Sequence, residues 1–164
     1  YVSSTLSPMA YTAQIAKEEY PDCITVFISP CVGKRSEAFR TPEVDFVITY
    51  EELEALFNAA EIDLENCEPT EFDPTIAPHG RGFAMITGVI ESVKKTMDDP
   101  SLIKEVVIDG LNKSNIRQLK QYAQKGECPG NFIEVMSCPG GCVNGCDTLV
   151  NPKTSARAIL SQTK

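Results

Sequence analysis

Two stretches of the chain gather side chains able to bind a soft metal centre: ISPCVGKRSE, built around Cys31, and EVMSCPGGCVNGC, with Cys138, Cys142 and Cys146 at four-residue steps. Thiolate is the preferred ligand of iron-sulfur clusters, and coordination removes the proton that a free thiol of pKa ~8.5 mostly keeps at neutral pH. The glycines of CPGGC let the backbone turn tightly and bring amide groups near sulfur, where their hydrogen bonds stabilise cluster charge. Pro30 and Pro139 stiffen the two approaches. The competing reading is that Cys31 is a small buried residue and CPGGC a tight turn. Three thiols at four-residue steps would share one face of a helix, but Pro139, Gly140 and Gly141 argue against a helix there. The pattern C-x-x-x-C-x-x-C fails at its third position. Cys23, Cys67 and Cys128 lack comparable settings and read as structural or incidental.

Seven cysteines, an odd number, accompany a single histidine in a chain of 164 residues with no secretory pattern. A disulfide framework would leave one cysteine unpaired, whereas a reducing compartment keeps thiols available for metal. A structural zinc site is the plainer metal option, but it normally advertises paired C-x-x-C or histidine units, and His79 stands alone beside Gly80. The net charge of -8, with fifteen scattered Lys and Arg, makes nucleic acid an unexpected partner. Apolar runs such as ITVFIS and GFAMITGVI are far too short to cross a bilayer, so a cytoplasmic protein is expected. The chain opens on Tyr1 in mid-pattern, which reads as a fragment of something longer.

These thiols need a scaffold. Short apolar runs alternating with helical periodicity predict an α/β fold in three layers, a mainly parallel sheet of about four strands flanked by helices, in one domain over 1–164. Strands are expected at 24–29, 44–49, 105–110 and 132–137, each rich in β-branched or aromatic residues and ended by Pro, Gly or a polar cap. Helices are expected at 10–20, from Thr49 onward, at 88–97 and at 112–125, with a further turn or two at the C-terminus. Thr49 and Glu52 form a capping box, and Leu53, Leu56, Phe57 and Ala60 a face whose burial should stabilise that helix. Ile116, Leu119 and Ala123 have core spacing, and Gly126 is a stop. Residues 61–82 read as a long acidic surface loop. Each cysteine motif follows a predicted strand, the place where parallel sheets put binding loops.

The motifs resemble those of iron-only hydrogenases: SPCVGKRSE is similar to the second signature of that family and EVMSCPGGCVNG to the third. VDFVITYEELEALF and SSTLSPM also resemble family segments, so the likeness covers nearly the whole chain. It implies part of a hydrogenase catalytic domain with an H-cluster, a four-iron cubane joined through one cysteine sulfur to a di-iron unit carrying carbon monoxide and cyanide. By position, Cys31 and Cys138 would bind the cubane and Cys142 would bridge it to the di-iron unit. Lys34 would donate to a cyanide ligand, Met136 and Pro30 would line the di-iron pocket, and Ser7 with Pro8 would fall beside the cluster. Ser3 falls where the family has a serine of its proton path. Glu37 matches the family glutamate, with an ion pair to Lys34 or Arg35 as one role and plain solvation at a helix start as the other.

The sequence also departs from the pattern. The family's first signature, which supplies the fourth cubane ligand and a proton-delivering cysteine, is expected upstream of VSSTLSPM. Ser29 stands where catalytic members have Met, and CDTLV replaces the Gly-rich ending after CVNG. These departures resemble the sensory branch. The resemblance therefore implies a fragment, inactive as isolated, of a protein interconverting dihydrogen with protons and electrons. A ferredoxin-like carrier or fused iron-sulfur domain and maturation proteins would be its partners. The alternative is a hydrogenase-like iron-sulfur scaffold or sensor without hydrogen chemistry.

Overall fold

The computed structural model describes residues 2–71 and 78–162, with backbone alone at 78 and 79. The middle of the expected 61–82 loop and the His79 side chain thus lie outside the described residues. Two compact units emerge: Tyr1–Glu68 with Cys146–Leu149, and Pro69–Gly145 with Val150–Lys164. The fold is mixed α/β, and all strand pairing in both units is parallel.

In the first unit, α1 (Pro8–Glu19), β1 (Val26–Ser29), α2 (Gly33–Ala38), β2 (Phe46–Thr49) and α3 (Tyr50–Ala59) follow in order. Ser7 caps α1 by accepting the Ala10 N–H, and Pro8 occupies the first turn, where no N–H is required. β1 and β2 pair in register from Val26 opposite Phe46 to Ser29 opposite Thr49. Parallel neighbours need a crossover, and α2 supplies it. Met9, Ala13 and Val44 are buried together, with Phe27, Ala38 and Val47 packed around them.

The second unit contains α4 (Gly88–Thr96), β3 (Glu105–Asp109), α5 (Lys113–Lys125), β4 (Phe132–Met136) and α6 (Pro152–Gln162). Asn112 caps α5, and Gly126, at φ 66°, ends it in the left-handed conformation that glycine adopts without a Cβ clash. β3 and β4 pair from Glu105 opposite Phe132 to Asp109 opposite Met136. Ile90 and Ile108 are the largest fully buried side chains.

All four expected strands form, each shorter by one or two residues, and they make two two-stranded sheets. The capping box at Thr49 is present, with Glu52 accepting the Thr49 N–H and Thr49 accepting the Glu52 N–H. The expected burial of the α3 face does not follow: no α3 residue is buried, and Leu56 is 55% exposed. Nor is any α5 residue buried, although Leu119 is half-covered and Ile116 is 39% exposed. A two-stranded sheet, with strands ~4.8 Å apart, is no wider than the helix laid on it and leaves part of each apolar stripe bare.

Two carboxylates tie elements together. Asp45 accepts from Lys17 Nζ at 2.7 Å and from the Thr25 N–H at 2.8 Å, joining α1, the 20–25 segment and the approach to β2. The Lys17 ammonium and the Thr25 amide hold its pKa at about 2, below its ordinary 3.8. Glu134 is only 4% exposed in β4 and accepts from the N–H groups of Thr87 at 2.6 Å and Ile90 at 2.9 Å. It therefore caps α4 from another element, which matters because Thr87 has φ 67° and gives α4 no side-chain cap.

Because Asp45 has a lower pKa folded than unfolded, its contribution is complete above pH 3.8 and fades as pH falls toward 2. Asp45→Asn should lower stability at neutral pH and flatten the acid limb between those values, read from circular dichroism against pH. Glu134→Ala, leaving the buried Ile90 N–H and the part-buried Thr87 N–H without acceptors, should cost about 1–3 kcal/mol in urea unfolding. Glu134→Gln, which keeps one acceptor, should cost less, and equal midpoints for wild type and Glu134→Ala would refute the capping role.

Candidate metal centre

Ser29 ends β1 as a buried residue, and the chain then turns through half-exposed Pro30 and Cys31 into α2. The Cys31 carbonyl accepts the Lys34 N–H at 3.2 Å. A Cβ at Gly33 would stand 3.2 Å from Cys31 Sγ, so the glycine leaves room for the sulfur. The Pro30 carbonyl accepts the Asp147 N–H at 3.2 Å, which brings Cys146 to this turn. The Cys146 thiol donates to Asp147 Oδ2 at 2.9 Å. That carboxylate raises the thiol pKa, while the Val32 N–H bonded to the same sulfur opposes the shift.

Three expected site residues meet in the same unit. Lys34 Nζ pairs with Glu37 Oε2 at 2.7 Å, and the Ser7 hydroxyl donates to Glu37 Oε1. Burial pushes the Glu37 carboxyl upward, but the hydrogen bonds from Lys34 and Ser7, with the charges of Lys34 and Arg40, leave it below its ordinary value. The ammonium also lies 5.9 Å from the centre of the Phe27 ring, at the edge of cation-π range. Of the two partners considered for Glu37, Lys34 is the one found; Arg35 pairs with Glu52. Ser3 is exposed and bonds to Thr5.

In the second unit, β4 ends at half-buried Met136, and Cys138 to Gly141 make a turn closed by the Gly141 N–H on the Cys138 carbonyl at 3.0 Å. Pro139 in second place and Gly140 at φ 82° in third are the arrangement of a type II turn. Gly141 is at φ 98°, and a Cβ on it would lie 2.6 Å from the Ala84 carbonyl oxygen and 2.7 Å from the Ile86 nitrogen. The turn is held from outside as well: Gly140 accepts the Ile86 N–H at 3.0 Å and donates to Asp109 Oδ1 at 2.6 Å. Asn144 Nδ2 donates to the Pro139 carbonyl at 3.1 Å. Cys138 is half-buried and Cys142 exposed at the start of a 3-10 turn over Cys142–Asn144.

The thiols are thus divided: Cys31 and Cys146 belong to the first unit, Cys138 and Cys142 to the second. None of the seven cysteines forms a disulfide. Among the described residues, neither unit by itself gathers three His, Cys, Asp or Glu side chains in reach of one metal ion. In each unit the soft thiols on glycine-bearing turns have the donor chemistry an iron-sulfur group takes. A groove of about 730 Å³ beside α3, lined by Leu53, Phe57 and Leu64 among others, contains no cysteine.

Sequence reasoning misses Asp109 and Glu134, which anchor the Gly140 amide and the start of α4. Glu134 has a signal, a carboxylate in the middle of the apolar run FIEVM, which folds only if the charge finds donors. Asp109 has none, since an acid at a strand end is ordinary.

Residues 1–146 match the family model described as iron only hydrogenase large subunit, C-terminal domain. Similar curated proteins include Iron hydrogenase 1 of Clostridium pasteurianum, 29% identical over 99% of this chain and 36% of that protein. The Cytosolic iron-sulfur assembly component 3 of Rattus norvegicus is 26% identical over 99% of this chain and 44% of its own length. The apo FeFe-hydrogenase of Chlamydomonas reinhardtii shares the fold at TM-score 0.68 and 23% identity, covering 98% of this chain and 60% of that one. The chain spans less than half the length of those two curated relatives. Among the described residues, no helix is long and apolar enough to cross a membrane. With a family match over 1–146 on a shared fold, the chain belongs to the iron-only hydrogenase family, in the C-terminal domain of its large subunit.

Proposed function

We propose that the chain is part of an H-cluster domain whose whole protein interconverts dihydrogen with protons and electrons, in a sensory member of the family. The observation that carries this reading is Lys34: an ammonium three residues beyond Cys31, held by Glu37, which the Ser7 hydroxyl also bonds, at the turn where the family motif has a lysine. When bound, an H-cluster supplies the iron at which dihydrogen is split or formed.

The chain's own residues would do the following. Cys31, Cys138 and Cys142 would hold the iron-sulfur group through their thiolates. Lys34 would donate toward a cyanide ligand of the bound group, a charge-assisted hydrogen bond worth ~1.5–3 kcal/mol. Its ion pair with Glu37 restricts the long side chain before any ligand arrives, which reduces the ordering cost of that bond. By their places in the family motifs, Met136 and Pro30 would line the site of the di-iron unit. The Ser7 hydroxyl keeps its proton on the Glu37 side, and the ionised Glu37 acts mainly as the anchor for Lys34. Ser3 serves the proton path. A ferredoxin-like carrier or fused iron-sulfur domain exchanges electrons, maturation proteins deliver the di-iron unit, and the setting is the cytoplasm.

A second reading is a hydrogenase-like iron-sulfur scaffold or sensor that keeps a cubane and does no hydrogen chemistry. The likeness to the cytosolic iron-sulfur assembly components, spanning 99% of the chain, favours it.

The test is to extend the chain upstream through the first signature, load it with iron, sulfide and the di-iron unit, and measure hydrogen oxidation with infrared spectra. Carbonyl and cyanide bands with turnover are expected, and Lys34→Ala should diminish the bands by weakening retention of the unit. Iron and sulfide bound without those bands would select the scaffold reading. Zinc in place of iron would overturn both.

A further inference from the structure

We infer that Cys31 and Cys146 form an oxidisable dithiol, a modification site at which a hydroperoxide closes a disulfide across the first turn of α2. Both residues lie in the first unit, and 114 residues of intervening sequence make their meeting a product of the fold. Three contacts place the sulfurs at the same turn. The Asp147 N–H on the Pro30 carbonyl, at 3.2 Å, sets the peptide group that follows Cys146 directly against the one that precedes Cys31. The Cys31 sulfur leans over Gly33, 3.2 Å from where its Cβ would be. The Val32 N–H reaches the Cys146 sulfur, so the peptide group joining Cys31 to Val32 is already bonded to the second thiol. A disulfide requires Cα atoms about 4.4–6.8 Å apart, which a shared backbone hydrogen bond between the flanking peptide groups favours.

Accessibility points the same way. Cys146 is exposed and Cys31 half-exposed, so a small oxidant reaches either sulfur without local unfolding. Cys23 and Cys67, by contrast, bond to backbone carbonyls of Ala16 and Asp63 within their own segments. The chemistry balances with a hydroperoxide as oxidant. One thiol attacks the O–O bond, giving a sulfenic acid and releasing water or an alcohol. The second sulfur then displaces hydroxide from the first, forming S–S while the departing hydroxide takes the second thiol proton as water. Two electrons pass from the two sulfurs to the peroxide, and a dithiol reductant reverses the bond by exchange.

The disulfide is independent of any cluster, but its consequence rests on the proposed function. With Cys31 as a cubane ligand, closing the bond withdraws that ligand, so oxidation of the unloaded protein would block cluster insertion until the dithiol is restored. The two sulfurs would act as a redox gate on loading.

The experiment uses the chain free of metal and fully reduced, treated with one equivalent of hydrogen peroxide and mapped by peptide mass spectrometry. A Cys31–Cys146 crosslink, lighter by about 2 Da than its two peptides, is expected and should vanish with dithiothreitol. Cys146→Ser should abolish it and Cys67→Ser should not. Crosslinks distributed among the other cysteines, or sulfinic acid at Cys31 with no crosslink, would overturn the assignment. The oxidised and reduced forms are then offered ferrous iron and sulfide, and uptake should fall roughly tenfold in the oxidised form. Equal uptake by both, or no uptake by either, would overturn the gate and, with the crosslink present, leave the disulfide standing.

Discussion

At Gly141 two backbones lie closer than a side chain would permit. The loop carrying Cys138 and Cys142 presses on residues 84–86, where any Cβ would meet a carbonyl oxygen and an amide nitrogen well inside van der Waals contact. That approach is possible only because the residue is glycine and sits at positive φ. Other constraints in the second unit follow from it. The segment before α4 must stop where Ile86 can reach the Gly140 carbonyl, so α4 begins abruptly, without a side-chain cap of its own. The N–H groups of Thr87 and Ile90 at its start are then satisfied by a buried carboxylate from β4, the strand that leads into the same cysteine loop. Glu134 thereby links the two sides of one contact: it fixes α4, and its strand delivers Cys138.

The same logic explains which parts of the structure the sequence discloses. Strands at 24–29, 44–49, 105–110 and 132–137, the Thr49 capping box and the Gly126 stop are local features, encoded within a few residues of where they act, and they appear almost as written. The apolar face of α3 is equally visible in the sequence, but what covers a face is decided elsewhere in the molecule. Periodicity gives the stripe and says nothing of the width of the sheet beneath it. Two-stranded sheets leave Leu56 and Ile116 in contact with water, and they also leave Val26 and Ile28 of β1 and Val135 of β4 partly bare.

For the site, the cysteine turns are legible because glycine and proline spell out a turn in the chain itself. The residues that hold those turns are much less so. Asp109 lies 31 positions from Gly140, and Glu134 44 from Ile90, separations at which a single sequence carries no pairing information. Glu134 at least violates an apolar run, and a buried charge always implies donors. Cys146 is visible as a third step in the cysteine spacing, but that spacing suggests fellowship with Cys142; its hydrogen-bonding neighbours are Val32 and Asp147 instead.

The pairing of charges around α2 shows how a short helix can carry a chemical role. Lys34 and Arg35 are adjacent, and Glu37 is within reach of both by sequence, so the two pairings compete. The fold separates them by giving Arg35 another acid, Glu52, whose carboxylate also closes the capping box of α3. Glu37 is then left to Lys34 and to the Ser7 hydroxyl, which at the same time caps α1. One network of side chains therefore fixes the starts of α1 and α3 and aims a single ammonium from α2. Because that ammonium is a compact point charge on a flexible stem, it gains more from such restraint than a guanidinium would. A lysine, not the neighbouring arginine, is accordingly the cation held three residues from Cys31, and the helix caps that stabilise the unit are also what keep it there.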